Sequence, residues 1–229
     1  MKLSQFEEKI LKYSILKFLF IYSQSGKSSF MRQLLLERKI HFESNITQLV
    51  YIYKSEDKNI KSLKKNFGKS GTFLNEIPDE LESLLLPKQS ICVIDDFESS
   101  LVLNKQKIAN LIYLANVAIH HKGLVLFLLF QSFSIFLRKH ALHDILYQAT
   151  QLILFRSMNS FSTLKRFLNS YEVKLKGQQT LYDIFKKFVQ GEPYQYLIIN
   201  IAPKLKNPEV FSQILYCDPR PLLIFHEET

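Results

Sequence analysis

SILKFLFIY-SQSGKSS-FMRQLLLERK, residues 14–39, is the stretch on which the fold turns. Its first part, 14–22, is largely aromatic and apolar, with the length and composition of a strand buried on both faces. A Gly/Ser-rich loop, 23–29, comes next. Phe30–Lys39 then shows helical periodicity, with Lys and Arg near its end, where a helix dipole favours cations. The order is strand, loop, helix. The chain has only 6 glycines, so the one that opens the helix at 27–38 has a reason to be there. The first-turn amides of a helix are unpaired and its N-terminal dipole end is positive, so an anion binds well there. Gly26 lets the backbone approach a phosphate, Lys27 can reach the outer phosphates of a nucleotide, and the Ser28 hydroxyl can ligate Mg²⁺. Ser23, Gln24, Ser25 and Ser29 complete the candidate nucleotide-binding loop. The full GxxxxGK[ST] spacing would place glycine at 21, where this chain has Ile21. The competing reading of these residues is a capped surface turn with an exposed lysine.

Outward from this stretch the pattern repeats. Strands are predicted at 47–53, Gln89–Asp95, Leu124–Phe130, Gln151–Phe155, Tyr194–Ile201, Phe211–Cys217 and Leu222–Phe225. Helices are predicted at 1–12, from Pro78 to Leu86, and at Lys105–His121, Ser134–Tyr147, Thr163–Asn169 and Thr180–Gln190. Continuous apolar strands alternating with helices predict an α/β fold with a mainly parallel central sheet covered on both faces. Ile91-Cys92-Val93-Ile94-Asp95-Asp96 is an apolar strand ending in two acids. Beside a phosphate-binding loop, Asp95 is the candidate Mg²⁺ holder and Asp96 the acid that polarises an attacking water. The separation from Lys27 suits one intervening strand and helix. Gln131 directly follows another apolar strand, at the carboxyl edge of the sheet where ligands bind, and could touch the γ-phosphate or orient water. Arg156 follows the next strand. With Arg138 and Arg166 it is a candidate for an arginine supplied across a subunit boundary.

Composition bounds the rest. At 229 residues, with 47% hydrophobic and 22% charged residues, the chain suits one globular domain, 1–229, with a core at about 14–217. A net charge of +9 favours a polyanionic partner. Lys54–Lys69 carries six lysines against Glu56 and Asp57. It reads as a basic loop, with Lys58, Lys61, Lys64 and Lys65 as candidate contacts to a DNA backbone. Tyr51 and Tyr53 read as strand residues rather than base-stacking platforms. Cys92 and Cys217 are too few for a disulfide framework and read as reduced thiols. No Cys/His cluster has zinc spacing. No apolar run reaches the length of a membrane span, the longest being Leu124–Phe130, and residues 1–22 lack the pattern of a signal peptide.

The three motifs in this order resemble the additional-strand P-loop ATPases, specifically the FtsK/HerA-type genome-packaging ATPases of double-stranded DNA viruses and virus-like transposons. FIYSQSGKSSFMRQLL matches the Walker A loop and helix, SICVIDDF the Walker B strand, and HHKGLVLFLLFQSFSIF the segment with a polar strand-end sensor. YQYLIIN resembles the late strand of these enzymes. The resemblance spans about 15–217 and implies a P-loop NTPase (RecA/FtsK-like) architecture. It implies Walker A roles for Lys27 and Ser28, a Mg²⁺ role for Asp95, the catalytic-acid position for Asp96 and the sensor position for Gln131. It further implies ATP and Mg²⁺ as cofactors, double-stranded DNA as a partner, a homo-oligomeric ring (pentamer or hexamer), a capsid or portal-site protein, and no membrane. The implied place of action is inside an infected cell at the viral assembly site, in cytoplasm or nucleus, or with the virion. Ile21, Asp96 in place of Glu, and Ser132 in place of the Asn of a TQN motif depart from the family pattern. A viral helicase, a phage assembly ATPase, and a degenerate P-loop protein that binds DNA or a partner without hydrolysis are the alternatives. The length is expected to leave no room for a second, specificity-giving domain.

Overall fold

The computed structural model of the chain describes residues 18–22, 26–42, 46–79, 90–97, 104–115, 124–131, 145, 149, 151–155, 165, 182–183, 196–200, 214–217 and 223–225. Among them, β1 (Phe18–Tyr22), β2 (Gln48–Tyr53), β3 (Gly71–Leu74), β4 (Ser90–Asp95), β5 (Val125–Phe130), β6 (Gln151–Phe155), β7 (Tyr196–Asn200), β8 (Ile214–Cys217) and β9 (Leu223–Phe225) form one sheet. Its spatial order is β3-β2-β4-β5-β1-β6-β7-β8-β9. Every neighbouring pair from β3 to β6 is parallel, and β7, β8 and β9 extend that edge antiparallel. The mainly parallel α/β sheet predicted from the apolar runs is therefore present. Antiparallel neighbours can be joined by a short turn, whereas each parallel neighbour requires a crossover.

Burial follows the alternation of a strand. Tyr51, Tyr53, Ile91, Val93, Val125, Phe127, Leu129, Ile153 and Phe155 belong to one buried cluster with Met31, Leu34 and Leu35 of α1 (Lys27–Leu36). The intervening residues Val50, Ile52, Cys92, Ile94, Leu126 and Leu128 are buried as well. Both faces of β2, β4 and β5 are thus dry, as continuous apolar strands require. Burial pushes the Cys92 thiol up to about 12, so it is an inert core residue. α1 is followed by the short α2 (Arg38–His41), which lays the Arg38 guanidinium 4.3 Å over the Phe67 ring.

The structure corrects four expectations. The basic stretch Lys54–Lys69 is not a loop: it contains helix α3 (Lys58–Phe67). The Asp57 carboxylate caps it by accepting from the Ile60 amide at 2.9 Å, and Ile60, Leu63 and Phe67 are buried at helical spacing. Each such side chain contributes about 1.5–3 kcal/mol, more than the repulsion among exposed lysines costs. Second, β3 is not among the strands predicted from periodicity. It requires Gly71, because a Cβ there would lie 2.5 Å from the Phe73 ring and 2.9 Å from Phe67. Third, two strands, not one, therefore separate Lys27 from Asp95. In the sheet, β5 lies between β4 and β1. Fourth, Pro78 and Asp79 are not helical. Their carbonyls accept from the Asn110 side-chain amide at 3.3 and 2.6 Å, which pins this segment against α4 (Lys105–Tyr113). Residues 80–86, the remainder of that predicted helix, lie outside the described residues. So do 1–12, most of 134–147, 163–169 and 180–190, and the end of the helix predicted to reach His121. Among the described residues, no helix is long and apolar enough to cross a membrane.

Candidate nucleotide-binding site

Three strand ends meet on one edge of the sheet. In register, Tyr22 of β1 lies beside Phe130 of β5, and Leu129 of β5 lies beside Asp95 of β4. The loop after β1, the acid pair that ends β4 and the residue after β5 therefore converge, although β5 separates the other two strands. Parallel strands bring their carboxyl ends to the same edge, so sequence-distant residues share a site without any special turn.

Gly26 is the N-cap of α1 with φ 95°, a left-handed conformation that a side chain would strain. As a glycine it brings no side-chain cap, and the first amides of a helix have no partner within the helix itself. Lys27 is the first helical residue and is only 6% exposed, yet its Nζ reaches the Asp96 carboxylate at 2.9 Å. The second oxygen of Asp96 accepts from Gln131 Nε2 at 2.8 Å. Asp96 has φ 63°, a conformation tolerated by Asp more than by most side chains. Its amide donates to the Leu129 carbonyl at 3.2 Å. The backbone thus turns out of β4 immediately after Asp95 and sends the two neighbouring carboxylates to different partners.

Asp95 is buried, with 5% exposure. Its Oδ2 accepts from Ser28 Oγ at 3.3 Å and from the Tyr51 hydroxyl at 2.9 Å. Its Oδ1 is buried with no hydrogen-bond partner among the described residues. Burial, with repulsion from Asp96, raises the Asp95 carboxyl to about 6 despite the opposing effects of Lys27, Tyr51 and Ser28. A buried carboxylate oxygen without a donor is costly, and a divalent cation would remove that cost. A carboxylate and a serine hydroxyl are hard oxygen donors of the kind Mg²⁺ takes, with phosphates and waters completing its shell. Among the described residues no group of three or more His, Cys, Asp or Glu could hold a metal unaided. The donor set fits a cation that arrives with its phosphates.

The architecture is an α/β fold with a mainly parallel sheet, and these residues lie at the carboxyl edge of its parallel strands. Of the residues singled out from the sequence, Gly26, Lys27, Ser28, Asp95, Asp96 and Gln131 are brought together. Ser29 lies exposed on α1. Ser23, Gln24, Ser25 and Arg156 lie outside the described residues, as do Arg138 and Arg166. Lys58, Lys61 and Lys65 are exposed on α3. Lys64 is differently placed: its Nζ donates to Glu56 at 2.7 Å and to the Tyr53 hydroxyl at 2.9 Å, and it lies over the Tyr53 ring. Glu56 and Tyr53 accordingly hold the Lys64 ammonium above its ordinary value. Sequence reasoning missed Tyr51 as a site residue. Only the alternation that puts it on the face of Val93 and Asp95 could have suggested it, and that requires the strand pairing.

No family model and no curated protein matches the chain. Solved structures do. Thermomonospora curvata EccC (ATPases 2 and 3), in complex with a signal sequence peptide, is 11% identical with a TM-score of 0.45. That match covers 93% of this chain but only 37% of EccC. A genome packaging NTPase from Sulfolobus turreted icosahedral virus 2, in complex with ATP-gammaS, is 16% identical over 82% of this chain and 93% of that one, with a TM-score of 0.45. A KaiC-like protein from Pyrococcus horikoshii is 8% identical over 91% of this chain and 88% of its own, with a TM-score of 0.44. At these identities the likeness is one of overall shape.

Proposed function

We propose that the chain is an ATP-hydrolysing motor that translocates double-stranded DNA, in the manner of a viral genome-packaging ATPase. The observation that carries the ATPase reading is the convergence of Lys27, Asp96 and Gln131 beside the Ser28–Asp95 pair at a helix N-terminus opened by Gly26. The amides of α1 and Lys27 receive the phosphates. Ser28 and Asp95 would hold Mg²⁺, which would supply charge neutralisation for the phosphates.

Lys27 is paired with Asp96. The more highly charged phosphates compete for that ammonium and release the Asp96 carboxylate, which then stands ready to orient water and accept its proton. Gln131 grips the same carboxylate, so its position depends on whether Lys27 has changed partner. The reaction needs positioning and charge stabilisation rather than a covalent intermediate. Asp96→Asn should bind ATP at least as tightly as the wild type while turnover falls about 100-fold. Unchanged turnover would remove Asp96 from the catalytic role.

Support for DNA as the second ligand comes from α3. Lys58, Lys61 and Lys65 follow a 3,4 spacing along one exposed stripe of this helix. The opposite stripe is buried, and Arg32 Nε of α1 donates to Ser62 Oγ at 3.3 Å. The basic helix is thus tied to the helix that carries Lys27. Backbone contacts of this kind bind duplexes irrespective of sequence. Neutralising Lys58, Lys61 and Lys65 should lower the slope of log affinity against log salt by about 0.9 for each DNA phosphate that α3 no longer neutralises. Neutralising Lys64 should change it less, because its ammonium is already engaged. An unaltered slope in the triple variant would show that α3 does not touch DNA.

A ring of five or six copies, an arginine such as Arg156 supplied from a neighbour, a capsid or portal-site partner, and action at the viral assembly site belong to the same proposal. Its direct test is ATP hydrolysis by the wild-type chain with and without duplex DNA. Stimulation by DNA is the expected result, and no hydrolysis under either condition overturns the motor reading.

A further inference from the structure

We infer that Tyr51 is a positioning residue for the metal–nucleotide site. Its hydroxyl anchors one oxygen of Asp95 to the sheet and leaves the other for the divalent cation that accompanies ATP. The inference rests on the nucleotide-binding reading of Asp95 and Ser28.

The argument begins with the pairing of β2 and β4. Tyr51 is in register with Val93, and Tyr53 with Asp95. Paired residues in parallel strands share a face, so Tyr51, Val93, Tyr53 and Asp95 lie on the same side of the sheet. Two residues along a strand span about 6.6 Å, a gap that a tyrosine leaning along the strand bridges with its hydroxyl. A serine or threonine there would fall short, and a phenylalanine would bring no donor. Tyr53, directly opposite Asp95, is otherwise occupied, because its hydroxyl accepts from Lys64.

Tyr51 is held firmly. It is 1% exposed, and its ring stacks on Phe73 of β3 with centroids 6.3 Å apart and planes 19° from parallel. A buried tyrosine hydroxyl seeks a partner, and here it donates to Asp95 Oδ2. Burial, followed by the nearby Asp95 charge, raises the Tyr51 phenol above its ordinary value, which keeps it a donor.

The independent observation is the other oxygen. Asp95 Oδ1 is buried and has no partner among the described residues. Both donors to Asp95 fall on Oδ2, which commits one oxygen to the protein and exempts the other. Of those two donors, Ser28 sits on the nucleotide-binding helix and is itself a candidate ligand. Tyr51 sits in the sheet. The tyrosine bond therefore fixes the carboxylate to the framework, whatever the Ser28 hydroxyl does when the site fills.

Tyr51→Phe removes the hydroxyl and retains the ring that packs on Phe73. The experiment measures ATP binding by calorimetry across a Mg²⁺ titration and again in EDTA, alongside thermal melting. The expected result is a Mg²⁺ requirement about 10-fold higher than in the wild type, with affinity in EDTA unchanged. An identical Mg²⁺ requirement in the two proteins overturns the role of Tyr51. A wild type that binds no ATP, or whose affinity ignores Mg²⁺, instead overturns the nucleotide–metal reading beneath it. The double variant guards against a general packing defect. If Tyr51 acts through Asp95, adding Tyr51→Phe to Asp95→Asn changes Mg²⁺ dependence no further. A further 10-fold loss in that background would show that Tyr51 does not act through Asp95, and would reject the proposal.

Discussion

Lys27→Ala is expected to lower ATP turnover by at least about 100-fold, the scale on which removing one preorganised electrostatic contact acts. Lys27 is the ammonium placed at the head of α1, buried along its stem and held at its tip by Asp96. Alanine leaves the amides of the helix terminus and the Ser28–Asp95 pair intact. Part of the phosphate affinity therefore survives, while the charge that follows the transferring phosphoryl group is gone. The fold should tolerate the change. Asp96 is 36% exposed, so water solvates the carboxylate that loses its partner. Purified protein with a wild-type melting curve and no measurable phosphate release is the expected outcome. Wild-type turnover in this variant would show that the loop binds something other than the reacting phosphates.

Asp95→Asn should stabilise the metal-free protein at neutral pH by as much as about 3 kcal/mol, while abolishing Mg²⁺-dependent turnover. The folded carboxyl is raised from 3.8 to about 6, mainly by burial. Because the folded state holds the proton more tightly than the unfolded chain, the carboxyl imposes no penalty below about pH 3.8. Between there and about pH 6 the unfolded chain ionises first, and the wild type loses stability as pH rises. Above pH 6 the full cost of a buried, half-partnered charge is present. Asparagine carries no such charge and still offers an oxygen to Tyr51. Denaturant melts of both proteins in EDTA at pH 5 and pH 8 test this. The gap between them should be wide at pH 8 and narrow at pH 5. A gap that does not change with pH would mean that Asp95 is not ionising inside a dry site.

The cost of Asp95 and the geometry of Asp96 point the same way. Two adjacent acids end a strand, and one turns into a left-handed conformation to meet Lys27 and Gln131. The other stays in the sheet with an oxygen that no described residue satisfies. A sequence selected for stability alone would replace both. Their presence together suits a site that takes a cation and an anion simultaneously.

Much of this was legible without coordinates. The apolar runs at 14–22, 47–53, 89–95 and 124–130 are long enough to be strands on composition alone. Gly26 before Lys27 and Ser28 marked a helix start built for an anion, and Asp95, Asp96 and Gln131 stood out as polar residues ending apolar strands. Those signals are local, arising from backbone preferences and periodicity within a few residues. α3 was equally local in principle, with Asp57 as its cap and Ile60, Leu63 and Phe67 on one stripe, but its lysines mask the pattern. β3 was not legible, because four residues with two aromatic or aliphatic side chains carry no period. The order of the strands, the insertion of β5 between β4 and β1, the capture of Lys64 by Glu56 and Tyr53, and the hydrogen bond from Tyr51 to Asp95 were decided by the tertiary structure alone. The capture of Lys64 depends on how α3 folds back on the end of β2; the others depend on which strand lies beside which, and in what register. That is settled by burying both faces of the sheet at once, a condition on the whole chain that no window of sequence contains.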